Sequence, residues 1–63
     1  MPFVNINLLE GSSPEKIAEL ISEVTDTIAR VLDRPKERVR ILVTEVPKTH
    51  WGIGGETAQA LGR

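Results

Sequence analysis

VRILVTEV, residues 39–46, is rich in β-branched side chains and almost continuously apolar. A short run of this kind predicts a strand, either buried on both faces or pairing centrally in a parallel sheet. Upstream, PFVNINLL (residues 2–9) alternates, with Val4, Ile6 and Leu8 on one face and Phe3, Asn5, Asn7 and Leu9 on the other, which predicts a second strand. Between the two, Ile17, Leu20, Ile21, Val24, Ile28, Val31 and Leu32 recur at spacings of three and four. Glu15, Lys16, Glu19, Glu23, Asp26 and Arg30 take the opposite side, so an amphipathic helix is expected over about residues 14–32. Glu10–Ser12 form a turn centred on Gly11, Ser13 is placed to cap the helix, and Pro14 suits its first position. Asp33, Arg34 and Pro35 end it, because a proline disfavours helical backbone in the residue before it. Strand, helix and strand in this order imply one right-handed βαβ unit.

That unit is small. The 63 residues form a single domain, residues 1–63, and a chain of about 60 residues buries only about 60% of the surface its unfolded form exposes. Chains of this size rely on disulfides, a metal, unusually good packing or partner subunits. Cysteine is absent and His50 is the one histidine, so neither a disulfide nor a four-ligand zinc site is expected. Two parallel strands under one helix also leave sheet edges and one sheet face uncovered, which another copy of the chain would bury. Both considerations point to an oligomer.

Eight Lys+Arg against nine Asp+Glu give a formal net charge of -1, and Phe3 and Trp51 are the aromatic residues. A nucleic-acid partner is therefore not expected, since it calls for a basic face or a stacking platform. No apolar run approaches the roughly 20 residues of a membrane span, and the first residues lack the pattern of a secretory signal. A cytoplasmic location is the default, and the absence of cysteine fits it.

The tail, PKTHWGIGGETAQALGR (residues 47–63), carries Gly52, Gly54 and Gly55 next to Trp51, which excludes regular helix there and predicts a tight turn or short hairpin. GIGG is not a phosphate cradle, because it lacks both the dinucleotide fingerprint and the Walker lysine. A hydrolase triad has no support either: Ser12 and Ser13 have only the distant His50 as a base. Pro2 is the unusual group. Initiator methionine is generally removed before a small residue, and its loss would expose a secondary amine on Pro2, more basic than an ordinary α-amino group of pKa about 7.7 to 8.0. Burial and a nearby cation would lower that basicity toward neutrality, where a general base works best. From composition alone, a proline that follows methionine by chance is the simpler reading.

The opening MPFVNINLLEG, the helix after it, VRILVTEV and the tail segment KTHWGIGGE, taken together, resemble the 4-oxalocrotonate tautomerase (2-hydroxymuconate tautomerase) family along essentially the whole chain. The resemblance implies an α+β fold: a βαβ subunit with a C-terminal hairpin, a four-stranded sheet completed by dimerisation, and three such dimers in a hexamer. It implies cofactor-independent keto-enol tautomerisation of a small carboxylate such as 2-hydroxymuconate, in the catabolism of aromatic compounds, with no cofactor and no metal. Pro2 would act as general base and then general acid once Met1 is removed. Arg40 would hold the 2-hydroxy or keto oxygen and the adjacent carboxylate through its bidentate guanidinium. Trp51 would line the pocket, exclude water and help keep the amine neutral. Asn7 and His50 inherit no catalytic assignment.

Ser12 departs from the pattern. The family's tautomerases usually carry an arginine here, which binds the far carboxylate of the substrate; serine offers one neutral hydrogen bond and no charge. A substrate with an altered second end, a cation from elsewhere such as Lys16, and a hetero-oligomer whose other subunit supplies an arginine are all consistent with the sequence. Two other functions compete with the tautomerase. One is a non-catalytic or weakly active structural subunit. The other is a promiscuous hydratase or dehalogenase of small unsaturated acids, disfavoured because Ile53 stands where hydratase-type relatives place a water-activating carboxylate.

Overall fold

In the computed structural model, which describes residues 2–63, the strands β1 (Phe3–Leu9) and β2 (Arg40–Val46) lie side by side and parallel, joined by the helix α1 (Pro14–Leu32). Their register runs from Phe3 opposite Arg40 to Leu9 opposite Val46. The expected helix boundaries hold for local reasons. The Ser13 hydroxyl accepts from the Lys16 N–H (3.2 Å) and Pro14 opens the first turn. At the other end Asp33 takes a left-handed conformation (φ 55°), and the Arg34 N–H returns to the Ala29 carbonyl (3.0 Å). A single 3₁₀ turn, Lys36–Arg38, then leads into β2, and the Lys36 ammonium reaches back to Asp26 on α1 (2.9 Å). That hydrogen bond and the charge of Asp26 raise the Lys36 pKa. The pair's contribution is therefore present below the ordinary lysine pKa and is lost only as pH rises through the raised value.

Burial alternates along both strands. Val4, Ile6, Leu8, Ile41 and Val43 are half-buried, as are Ile17, Leu20, Ile21, Val24 and Ile28 on the inner side of α1. The opposite sheet face stays open: Phe3 is 63% and Leu42 51% exposed. Within one chain β2 is thus covered on one face only, and its continuous apolar pattern exceeds what α1 can bury. The sequence also assigned Val31 and Leu32 to the helix's buried stripe, yet both are exposed, Val31 at 64%. The cause is length: 19 residues of helix rise about 28 Å, whereas a seven-residue strand spans about 23 Å, so the last turn overruns the sheet.

Only Val39 and Ala58 among the described hydrophobic residues are buried, and of the two only Ala58 completely. The Cα radius of gyration, 14.6 Å, exceeds the roughly 11 Å of a compact domain this size, and the chain measures 43 × 23 × 13 Å. Such a thin, elongated shape leaves one chain without a closed core.

Past β2, two carboxylates organise the C-terminal segment. Glu45 accepts from the Gly11 N–H (3.2 Å), holding the turn after β1, and Glu10 accepts from the Lys48 N–H (2.9 Å), where a second 3₁₀ turn, Lys48–His50, begins. The chain then forms the hairpin β3 (Gly52–Ile53) and β4 (Glu56–Thr57). Its two loop residues, Gly54 and Gly55, have φ of 60° and 90°, the primed turn that asks for glycine at both positions. The sequence-based expectation of a hairpin is met. Glu10→Ala is expected to lower stability by about 1 kcal/mol, as loss of a charge-assisted bond in an exposed setting, read from denaturant unfolding at fixed protein concentration.

Candidate active site

The parallel register brings Pro2 and Arg40 to the same end of the sheet. The Arg40 N–H donates to the Pro2 carbonyl (3.0 Å), directly before the pair Phe3 and Arg40. Pro2 is half-buried, and Met1, whose removal the sequence reading requires, lies outside the described residues. Two backbone bonds fix the turn beside them, from the Arg38 N–H to the Pro35 carbonyl and from the Val39 N–H to the Lys36 carbonyl, each 3.0 Å. Buried Val39 anchors the start of β2, and the Arg40 guanidinium folds over the turn to donate to the carbonyls of Glu37 and Val39. The ion pairs among the described residues are Lys16–Glu19 and Lys36–Asp26, so Arg40 meets neutral acceptors only. An arginine in that state keeps its charge for an incoming anion.

Ser12 and Trp51 stand at the other end of the strands. Six strand rises separate the two ends, about 20 Å. Ser12 is exposed, one residue past Gly11, whose N–H is held by Glu45. Half-buried Trp51 follows the second 3₁₀ turn, and its carbonyl accepts from the Ala58 N–H (2.8 Å). Lys16, the cation nearest Ser12 in sequence, is exposed and directs its ammonium at Glu19 (3.5 Å). The His50 ring engages the neighbouring Thr49 hydroxyl (2.9 Å). One chain therefore brings Pro2 and Arg40 together at one end of the strands, while Ser12 and Trp51 follow the opposite strand ends. No pocket forms among the described residues of the single chain.

Glu10 and Glu45 were missed by sequence reasoning as positioning residues. Their bonds span 38 and 34 positions, so no local pattern announces them. A carboxylate near the end of each strand, Glu10 directly before Gly11 and Glu45 one residue before the end of β2, is the signal, and it is weak. Among the described residues no group of three or more His, Cys, Asp or Glu could hold a metal ion, and no helix is long and apolar enough to cross a membrane.

The small α+β subunit, with Pro2 directly before β1 and Arg40 opening the neighbouring β2, has the architecture of the tautomerases. The family model described as tautomerase enzyme matches residues 2–60, and this chain belongs to that family. It is 52% identical to the 2-hydroxymuconate tautomerase of Stutzerimonas stutzeri over 63 residues, all of both chains. Among solved structures, one from a kinetic and structural study of 4-oxalocrotonate tautomerase isozymes of Methylibium petroleiphilum superposes with a TM-score of 0.93 at 45% identity, covering 98% of this chain and 100% of that one. A second, from a heterohexamer 4-oxalocrotonate tautomerase of Chloroflexus aurantiacus J-10-fl, gives a TM-score of 0.90 at 39% identity, covering 97% and 98%.

Proposed function

We propose that this chain, one tautomerase domain over residues 1–63, is a cytoplasmic, cofactor-independent keto-enol tautomerase acting on a 2-hydroxy-dienoate such as 2-hydroxymuconate. The observation that carries the reading is the register that sets Pro2 beside Arg40, which has no acidic partner among the described residues. With Met1 removed, the Pro2 amine takes the proton from the 2-hydroxyl. Arg40 holds the 2-oxygen and the adjacent carboxylate, stabilising the charge that develops on oxygen. Protonated Pro2 then delivers the proton to a distant carbon of the conjugated chain, so none is gained or lost overall. The first step needs the neutral amine, and Pro2 is half-buried.

Because Trp51 lies about 20 Å from Pro2 along its own strands, the Trp51 that shields a given Pro2 comes from another copy. The working unit is thus an oligomer: dimers whose sheets join into four strands, three of them in a homohexamer. Continuous ultraviolet kinetics with 2-hydroxymuconate test the activity. Arg40→Gln is expected to lower kcat/KM by about 10²-fold, and Arg40→Lys to recover only part, since an ammonium lacks the bidentate fork.

Ser12 favours a second reading. A position without a cation, with Lys16 turned to Glu19, fits a weakly active subunit that gains an arginine from a different partner chain. Turnover by the purified single gene product decides between the two: activity within the ordinary enzyme range supports the homo-oligomer, and its absence supports the mixed one.

A further inference from the structure

Five of the eight Lys+Arg residues, Arg30, Arg34, Lys36, Arg38 and Arg40, fall within residues 30–40. The structure gives several of them separate employment. Arg34 donates to the carbonyls of Leu32 and Asp33 at the helix end, and Lys36 is paired with Asp26. Arg30 lies on α1, in its last turn. Arg38 is different. Its backbone is pinned by the bond to Pro35, while its exposed side chain makes no hydrogen bond and no ion pair among the described residues. It stands two positions before Arg40, separated by extended Val39 (φ -90°, ψ 130°), whose side chain is the buried one. Extended Val39 sets the Cα atoms of Arg38, the last residue of the 3₁₀ turn, and Arg40, the first of β2, about 6 to 7 Å apart, a spacing from which two long guanidinium side chains can reach both ends of one six-carbon diacid.

We propose that Arg38 is a specificity-determining residue that binds the second carboxylate of a dicarboxylate substrate, in place of the cation that Ser12 does not supply. The proposal rests on the tautomerase reading for Pro2 and Arg40. Arg40 takes the end of the substrate that bears the reacting oxygen, and Arg38 takes the carboxylate at the far end. Both guanidiniums meet a common substrate at the proline end of the sheet, so recognition of the far carboxylate needs nothing from position 12.

The test compares Arg38→Gln and Arg38→Lys with the unaltered protein, folding being checked by circular dichroism. Selectivity is the ratio of kcat/KM for 2-hydroxymuconate to that for 2-hydroxy-2,4-pentadienoate, which lacks the far carboxylate. Calorimetric binding of adipate relative to hexanoate gives a second readout independent of turnover. Arg38→Gln is expected to cut both preferences by roughly tenfold to a hundredfold, the loss of a charge-assisted contact, with Arg38→Lys retaining the larger part. Preferences within twofold of the unaltered protein in Arg38→Gln overturn the proposal, as does an unaltered protein that does not prefer adipate. If neither hydroxy acid is turned over but adipate preference still collapses in Arg38→Gln, the tautomerase reading fails and the Arg38 site stands.

Discussion

Pro2→Ala is expected to reduce kcat/KM for 2-hydroxymuconate by about 10² or more, the range that a positioned general base commonly contributes. Methionine excision still occurs before alanine, so the variant keeps an amino terminus, but a primary amine on a freer backbone. Proline's ring fixes the position of the nitrogen and the direction of its lone pair, and its secondary amine is the stronger base. The residue half-buries its ring and offers its carbonyl to the Arg40 N–H (3.0 Å), and alanine keeps that backbone bond. The fold should therefore survive, and the loss should appear mainly in kcat. A variant with unchanged kcat would remove Pro2 from the proton transfer.

Leu42→Lys is expected to break the proposed assembly. Leu42 and Phe3 are the exposed large hydrophobic residues on the sheet face that α1 leaves open, while among the described hydrophobic residues only Val39 and Ala58 are buried. Covering a leucine is worth about 1.5 to 3 kcal/mol, and a lysine in its place brings a charge that must be desolvated, so dissociation constants should rise at least roughly a hundredfold. A chain this thin does not hold its fold by itself, and subunit separation should be accompanied by loss of helical signal at micromolar concentration. Sedimentation velocity alongside circular dichroism reads both. An assembly of unchanged mass and stability would place the interface elsewhere.

The strand-helix-strand order, the Ser13 and Pro14 start of α1 and the glycine hairpin were all legible, because each rests on local chemistry: periodicity, a capping hydroxyl, glycines at positive φ. Misreadings came where tertiary context decides. Val31 and Leu32 continue the helix's apolar stripe, and only the mismatch between helix rise and strand length leaves them outside. The apolar run of β2 was legible as a strand either buried on both faces or pairing centrally in a parallel sheet; it pairs in parallel with β1, and one chain covers a single face. Arg40 and Pro2 meet through register, which the alternation of β1 suggests but does not fix. Their roles were readable through family resemblance, not from the residues alone. The bonds from Glu10 and Glu45 join positions far apart in sequence, where no spacing rule reaches.

All of the proposed chemistry depends on a free secondary amine at Pro2, which can be tested without changing any side chain. Intact mass gives the fraction of chains that have lost Met1, and the same samples, prepared with increasing fractions of retained methionine, are assayed with 2-hydroxymuconate. Turnover proportional to the processed fraction, extrapolating to zero when Pro2 nitrogen is held in an amide, is the expected result. Methionine-bearing protein as active as the processed form would contradict the account.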